Sequence, residues 1–408
     1  MKKSKKSLVL VALLFLFVIL LSQCIGKSEA SNDPRGNIFA SSASCRQCHQ
    51  AIYDSAILSA HTNASSLASK NNIHGNFNVG KNTFIYDQNT EIAMENRDSG
   101  MYQVLYVNGK EKEAHRFDIA FGLRKAQTSM YWQDDKIYQF PLTYYTSANN
   151  WATSPGFSSK EPYFKRLVQR ECFECHSSYL KNKEDVVIPN GEYFGSEVVR
   201  ETLEKKSLIL GIDCQRCHGP AANHVNYHLA YPEEKTAKYI VTNSALSQQQ
   251  KLDRCAVCHS GNNKEKLKSI FYFMPGDTLS NFYLDMPGNN NRGNLDVHGN
   301  QYGLLLESKC FLVSKTMNCS SCHNPHSNAT NNLLYYSQKC MSCHSIAKNN
   351  FCTVIPSSGI SLTDNCIDCH MPKKPSAAIS FQLSGSTQYS SYLLRTHKIA
   401  IYPMNNEK

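Results

Sequence analysis

The sequence lacks several things a 408-residue chain often has, and each shortage removes a class of protein. Its 17 cysteines are about 4% of the residues, below the ~8% that marks a disulfide scaffold, and the chain is far too long for a stapled mini-protein. Charged residues make up 19% and hydrophobic residues 41%, which excludes an intrinsically disordered chain. Long apolar runs are nearly absent. One stretch of fourteen uncharged residues, Leu8 to Leu21, is shorter than the ~20 residues of a full span, so a multi-span membrane protein is excluded.

That single run follows Lys2, Lys3, Lys5 and Lys6 and reads as the positive and apolar regions of an export signal. Leu21-Ser22-Gln23-Cys24 resembles a bacterial lipobox, with Gln23 where a small residue is usual. We expect residues 1–23 to leave as a signal and a lipid on Cys24 to anchor the chain to a membrane. A plainly cleaved signal and an uncleaved short anchor are the alternatives. Residues 24–44 read as a polar tether, which if extended reaches up to ~70 Å.

Fourteen of the remaining sixteen cysteines form one pattern, Cys-x-x-Cys-His, seven times over. The pairs are Cys45 and Cys48, Cys172 and Cys175, Cys214 and Cys217, Cys255 and Cys258, Cys319 and Cys322, Cys340 and Cys343, and Cys366 and Cys369. The histidines that close them are His49, His176, His218, His259, His323, His344 and His370. Random placement at this chain's composition would produce about 0.03 such motifs. The chemistry of covalent haem attachment requires this order: two thiols add across the vinyl groups, and the next residue presents an imidazole to the iron. Structural zinc needs four ligands from matched pairs, and a redox dithiol does not demand a histidine at every copy. We therefore expect seven covalent haem c groups. A globule of about 385 residues has a radius of gyration near ~21 Å, which leaves each haem a cube only ~23 Å on a side. Electron exchange follows from that crowding.

Eight histidines lie outside the motifs: His61, His74, His115, His224, His228, His298, His326 and His397. That is one more than seven bis-histidine irons need, although Met, Tyr or an empty site also occurs at the sixth position. His326 lies three residues after His323, at most ~11 Å of chain, too short to round a porphyrin edge. It must serve a neighbouring haem. The six residues from His218 to His224 would have to wrap the macrocycle fully extended, so His224 also belongs elsewhere. Ligands swapped in this way couple folding to cofactor insertion. The preferred distal ligands are His61, His224, His298, His326 and His397, with His61 placed on a helix from Ala51 to Ser69; His74, His115 and His228 are the weaker candidates. Cys310 and Cys352, the two cysteines left over after Cys24, suggest a disulfide in an exported protein, with free buried thiols as the alternative.

The first two motifs are 127 residues apart, the later ones only 21 to 64. In the first gap, Tyr102 to Val107 precedes Asn108-Gly109, and Met130 to Trp132 and Ile137 to Phe140 flank a polar turn, so we expect a small antiparallel β meander over 82–145 with its aromatic residues in a core. Residues 45–164 then form an N-terminal haem and meander region, 165–372 a six-motif region of short helices and irregular loops such as Pro287 to Gly293, and 373–408 a tail that begins as a Ser-rich linker and packs back onto a haem. Loss of the four signal lysines lowers the formal charge from +10 to +6, and seven haems at roughly −1 each offset the remainder, which gives no reason to expect nucleic acid. Lys373 and Lys374 read as a solvated pair, with a docking patch for an acidic redox partner as the alternative.

The motif phrasing resembles the multihaem c-type cytochromes, in particular a doubled-CxxCH group related to the tetrahaem cytochromes of hydroxylamine oxidation. The stretches that carry it are Cys45 to His49 with His61, Cys214 to Pro220 with His224, Cys319 to His326, and Cys366 to Pro372. The resemblance implies haems wrapped by short helices and loops, electron transfer at the periplasmic or cell-surface side of a membrane, and redox partners such as other cytochromes or a quinol-linked complex. The alternative is a reductase or oxidase of a small nitrogen or sulfur compound at one open-site haem. No catalytic residue is assigned. Seven motifs exceed the tetrahaem pattern, and none ends in lysine as in pentahaem nitrite reductases.

Overall fold

A computed structural model describes residues 33–122, 125–183, 202–261, 264–284, 295–353 and 361–403. The signal and Cys24, most of the tether, and the Pro287 to Gly293 loop lie outside these residues.

The first helix, α1 (Ser42–Ala56), starts where the Ser41 hydroxyl accepts the Ala43 N–H, and breaks its regular backbone at His49, with φ −115° and ψ 40°. It stops well short of the expected Ser69. The Thr62 hydroxyl donates to the Ala56 carbonyl and the Asn63 amide to the carbonyls of Ile57 and Ser59, so side chains satisfy the helix's last acceptors and turn the chain. His61 thus sits in a turn.

Ten strands follow: β1 (Ser65–Leu67), β2 (Thr83–Ile85), β3 (Thr90–Arg97), β4 (Gly100–Val107), β5 (Lys110–Arg116), β6 (Ile119–Phe121), β7 (Ala126–Gln133), β8 (Lys136–Tyr145), β9 (Asn150–Thr153) and β10 (Arg166–Leu167). They form two antiparallel sheets, one in the order β2-β3-β4-β5 and the other β1-β6-β7-β8-β10 with β9 also paired to β8. The expected meander is therefore larger than 82–145 and divided in two. Both predicted hairpins are present. Asn108 and Gly109 take positive φ of 52° and 71° in the β4–β5 turn, and Asp134 takes φ 54° in the β7–β8 turn. Alternation on β8 assigns each residue to a face. Tyr138, Phe140, Leu142 and Tyr144 point between the sheets, where they meet Phe84, Ile92, Met94, Phe117 and Trp151. Ile137 and Met130 point outward, against Phe173 and Val168. Most aromatic residues of the first gap are core, as expected, but Tyr102 and Tyr106 lie on a polar face beside Arg97 and Glu95.

Phe173 lies inside the second motif, so the outer face of the β unit is the floor on which the motif region begins. That region consists of α2 (Arg170–His176), α3 (Cys214–His218), α4 (Ala222–Ala230), α5 (Gln248–His259), α6 (Gln301–Leu306), α7 (Lys309–Val313), α8 (Leu333–Met341) and α9 (Cys366–His370). Only α5 exceeds nine residues, and it begins with a Ser247–Gln250 capping box. The stretch after Pro372, read from sequence as a linker, instead forms strand Lys373–Phe381 paired with Ser390–Arg395. Phe381 stacks on Tyr145 at 4.0 Å, and the Gln382 and Thr153 backbones bond, so the tail returns to the β unit before it delivers His397. Sequence periodicity missed this hairpin because Ala377 and Ala378 bulge out to donate to the Asp296 carboxylate. Among the described residues, no helix is long and apolar enough to cross a membrane.

Candidate haem-binding site

Six motifs sit on α-helical segments or their ends, and the fifth on the 3-10 turn Cys319–Ser321. A helical turn brings positions i, i+3 and i+4 to one side, so both thiols and the imidazole of each motif face the same space. The turns are fixed by local chemistry. The Asp213 and Asn365 side chains cap α3 and α9 by accepting the N–H of Arg216 and Asp368.

Four of the histidines outside the motifs lie against the histidine of a motif other than the one before them in sequence. His224 faces His49 with ring centroids 6.4 Å apart and planes within 10°. His326 faces His218 at 5.8 Å and 10°, His61 faces His259 at 6.2 Å, and His397 faces His323 at 6.2 Å. Two imidazoles bound to one metal ion from opposite sides, with bonds of about 2.0 Å and a further ~1.1 Å from nitrogen to ring centre, stand roughly 6.2 Å apart. All four pairs match that span. Each joins a motif histidine to a histidine from a different part of the chain. His298 lies within electrostatic range of His176.

The other ring nitrogens are held. Nδ1 lies 3.4 Å from the Ala64 carbonyl oxygen in His176, 2.7 Å from that of Lys238 in His224, 3.0 Å from that of Asn350 in His344 and 2.9 Å from that of Ala400 in His370. His259 uses the Gln301 side chain at 3.1 Å. A bond from Nδ1–H to such an oxygen selects the tautomer with Nε2 free to ligate. Burial pushes His218 and His397 down to about 4, with the neighbouring imidazoles His326 and His323 adding to it, and burial also lowers His176 and His259. Neutral imidazole, the ligating form, is thereby favoured.

The motif thiols meet across motifs. Cys45 touches Cys214, Cys175 touches Cys258, Cys255 touches Cys319, and Cys340 touches Cys366, while Cys217 lies in electrostatic range of Cys255. The fourth motif therefore adjoins the second, third and fifth. Cys310 approaches Cys322, Cys340 and Cys343. The disulfide expected between Cys310 and Cys352 is not formed; both thiols are free. Cys310 on α7 is directed instead toward the fifth and sixth motifs.

The donor set fits haem. Among the described residues, no three or more His, Cys, Asp or Glu side chains converge as a bare ion would require. The imidazoles come in twos, each beside a thiol pair. Orphaned polar atoms border the same spaces, including Nε of Arg216 inside the third motif and Nδ1 of His397.

Several supporting residues carry no motif signal. The Gln215 side chain binds the Ala40 N–H and carbonyl, Arg35 pairs with Asp33 and Asp213, and buried Glu174 binds Lys266 and Ser269. Asp296 accepts the His298 N–H at 2.7 Å and ties that loop to the C-terminal hairpin. Of these, Glu174 and Gln215 occupy the variable positions between motif cysteines, which is the one sequence clue to them. Gly211 marks a further junction: φ is +66°, its N–H donates to Ser65, and an added Cβ would stand 1.8 Å from the Thr62 carbonyl oxygen. Ser65 in turn donates to the His176 carbonyl at 2.6 Å, and the His61 carbonyl accepts the Ile212 N–H. One close backbone approach thus aligns His61, His176 and the third motif.

Of the weaker ligand candidates, His115 is engaged and His74 is exposed, whereas His228 rests Nδ1 on the Glu234 carbonyl and keeps a buried Nε2 without a partner. His115 stacks on Tyr131 at 3.9 Å with Nε2 2.6 Å from Glu113, and His74 is exposed, its N–H on Gln127. His228 packs edge-on against His224 at 4.6 Å.

No family model and no curated protein matches the chain. Two solved structures resemble it. The outer cell wall cytochrome OcwA is 14% identical with a TM-score of 0.49, over 85% of this chain and 79% of that one. The undecahaem cytochrome from the S-layer of Carboxydothermus ferrireducens is 15% identical with a TM-score of 0.38, over 82% of this chain and 51% of that one. At these levels neither likeness bears on what this chain does.

Proposed function

We propose that the chain is an exported multihaem c-type cytochrome that passes electrons through seven covalently bound haems, at the periplasmic side or the cell surface. The observation that carries this reading is the set of four histidine pairs with ring centres 5.8 to 6.4 Å apart, each beside a Cys-x-x-Cys pair, which would hold a haem iron between them. When bound, haem supplies a one-electron iron couple.

The chain's own residues do the rest. The motif thiols fix each cofactor's place, and the crossed histidines hold successive segments at set distances. Desolvation around His218, His259 and His176 favours their neutral, ligating form. Contact between thiols of different motifs attaches neighbouring cofactors at adjacent points. The chain order of the motifs is therefore not their spatial order: the first adjoins the third, the third the fourth, and the fourth branches to the second and fifth. Kinship to the tetrahaem cytochromes of hydroxylamine oxidation rests on motif phrasing alone. Redox proteins of the same compartment, such as other cytochromes or a quinol-linked complex, are the partners this function needs, and a lipid on Cys24 would hold the chain at the membrane.

Haem staining after denaturing electrophoresis, with intact mass, tests attachment. The matured chain is expected to keep its colour and to weigh the processed polypeptide plus seven haems. A colourless or zinc-loaded product sinks the reading. Cys24→Ala is expected to release the protein from the membrane fraction without loss of haem.

A further inference from the structure

The five crossed histidines leave the sixth and seventh motifs without partners. All fifteen histidines lie among the described residues, so the ledger of imidazoles is complete. Seven close motifs, four more face motif histidines at ligand spacing, and His298 lies within electrostatic range of His176, the one remaining motif histidine outside the sixth and seventh motifs. His74, His115 and His228 remain, and each is placed away from the C-terminal motifs. His115 is on β5 and stacks inside the β unit on Tyr131 and Phe164. His74 adjoins Gly75, which lies against the Trp151 ring of that same unit. His228 shares α4 with His224, and α4 is tied at its start to the Ile38 carbonyl through the Ala222 N–H.

His344 and His370 are nevertheless prepared as ligands. Their Nδ1 atoms rest on the Asn350 and Ala400 carbonyls, as in the paired sites. Their motifs are neighbours, since Cys340 and Cys366 touch. His344, Cys343 and Cys369 are exposed and His370 is half-buried, and the His49 and His259 positions open to the surface in the same way.

We propose that the His344 and His370 irons carry no histidine at the sixth position and bind small exogenous ligands there, of the class of carbon monoxide, nitric oxide, cyanide and nitrite. This rests on the haem reading above. It divides the chain into five bis-histidine relay positions and an adjacent pair of accessible ones at the C-terminal end, where electrons from the relay reach a bound small molecule.

The test uses the matured full chain. Pyridine haemochrome and intact mass count the haems, and carbon monoxide titration of the reduced protein, followed at the Soret band, counts accessible irons. Seven haems are expected, with saturation at two carbon monoxide molecules per chain. His74→Ala, His115→Ala and His228→Ala are expected to keep that number, and His397→Ala to raise it to three by opening the His323 iron. Electron paramagnetic resonance of the oxidised protein is expected to show five bis-histidine low-spin haems. Seven haems with any other saturation number, or a rise caused by His74→Ala, His115→Ala or His228→Ala, overturns the proposal. A haem count below seven overturns the reading beneath it instead.

Discussion

The β unit and the motif region are built on different sources of cohesion. Between β1 and β10 the chain buries Trp151, Phe84, Phe140, Ile92, Met94 and Leu142 almost completely, and two sheets close over them without help. The motif region has more chain and less core. Its helices run from five to twelve residues, too short to persist alone, and α4 buries no side chain. Leu312, Val313 and Ile346 stand 64%, 70% and 82% exposed near the fifth and sixth motifs. The lesson is that one half carries its apolar interior in its own side chains, while the other has a smaller cluster around Val257, Phe273 and Phe282 and, on the proposed reading, haems would supply the rest.

The largest expected effect follows directly. Chain produced without haem attachment is expected to keep slow amide exchange in β3, β4, β7 and β8 and to lose protection in α3, α5, α8 and α9. Equal protection in both halves would erase the distinction. Next in size, Phe140→Ala removes a fully buried ring from between the sheets and is expected to cost about 3–5 kcal/mol in the unfolding of the β unit. Its haem spectrum should match that of the parent. A change in the low-spin signals on this substitution would show that the halves are not separable. The smallest effect on stability and the most local is expected of Gly211→Ala. Its Cβ has no room beside the Thr62 carbonyl and its φ is unfavourable to alanine, at a cost of about 1–3 kcal/mol. Because that contact sets the His61 turn, the variant is expected to perturb the signal of the His259 iron and leave that of the His49 iron alone, as read by paramagnetic resonance.

Particular residues show how far the sequence reaches. The motif cysteines and histidines, both hairpin turns and the crossing of His224 and His326 were legible, because each follows from covalent chemistry, backbone sterics or the reach of a few residues. The end of α1 at Ala56 was not, since Thr62 and Asn63 cap the helix through the turn they create. The hairpin of residues 373–395 was hidden by its bulge over Asp296, which comes from a loop some eighty residues earlier. The Cys310–Cys352 disulfide was a parity inference, and parity says nothing of position.

By itself the sequence determined the seven Cys-x-x-Cys-His motifs, the attachment chemistry they are suited to, and the reach that keeps His224 and His326 from the haem of the motif before them, because bond-forming groups and short tethers are local properties of a chain. Which histidine faces which, that the fourth motif adjoins three others, and that His344 and His370 have no imidazole opposite them were decided only by the tertiary structure. Those are relations between segments far apart in sequence, set by how the β unit, the crossed helical turns and the returning tail pack against one another.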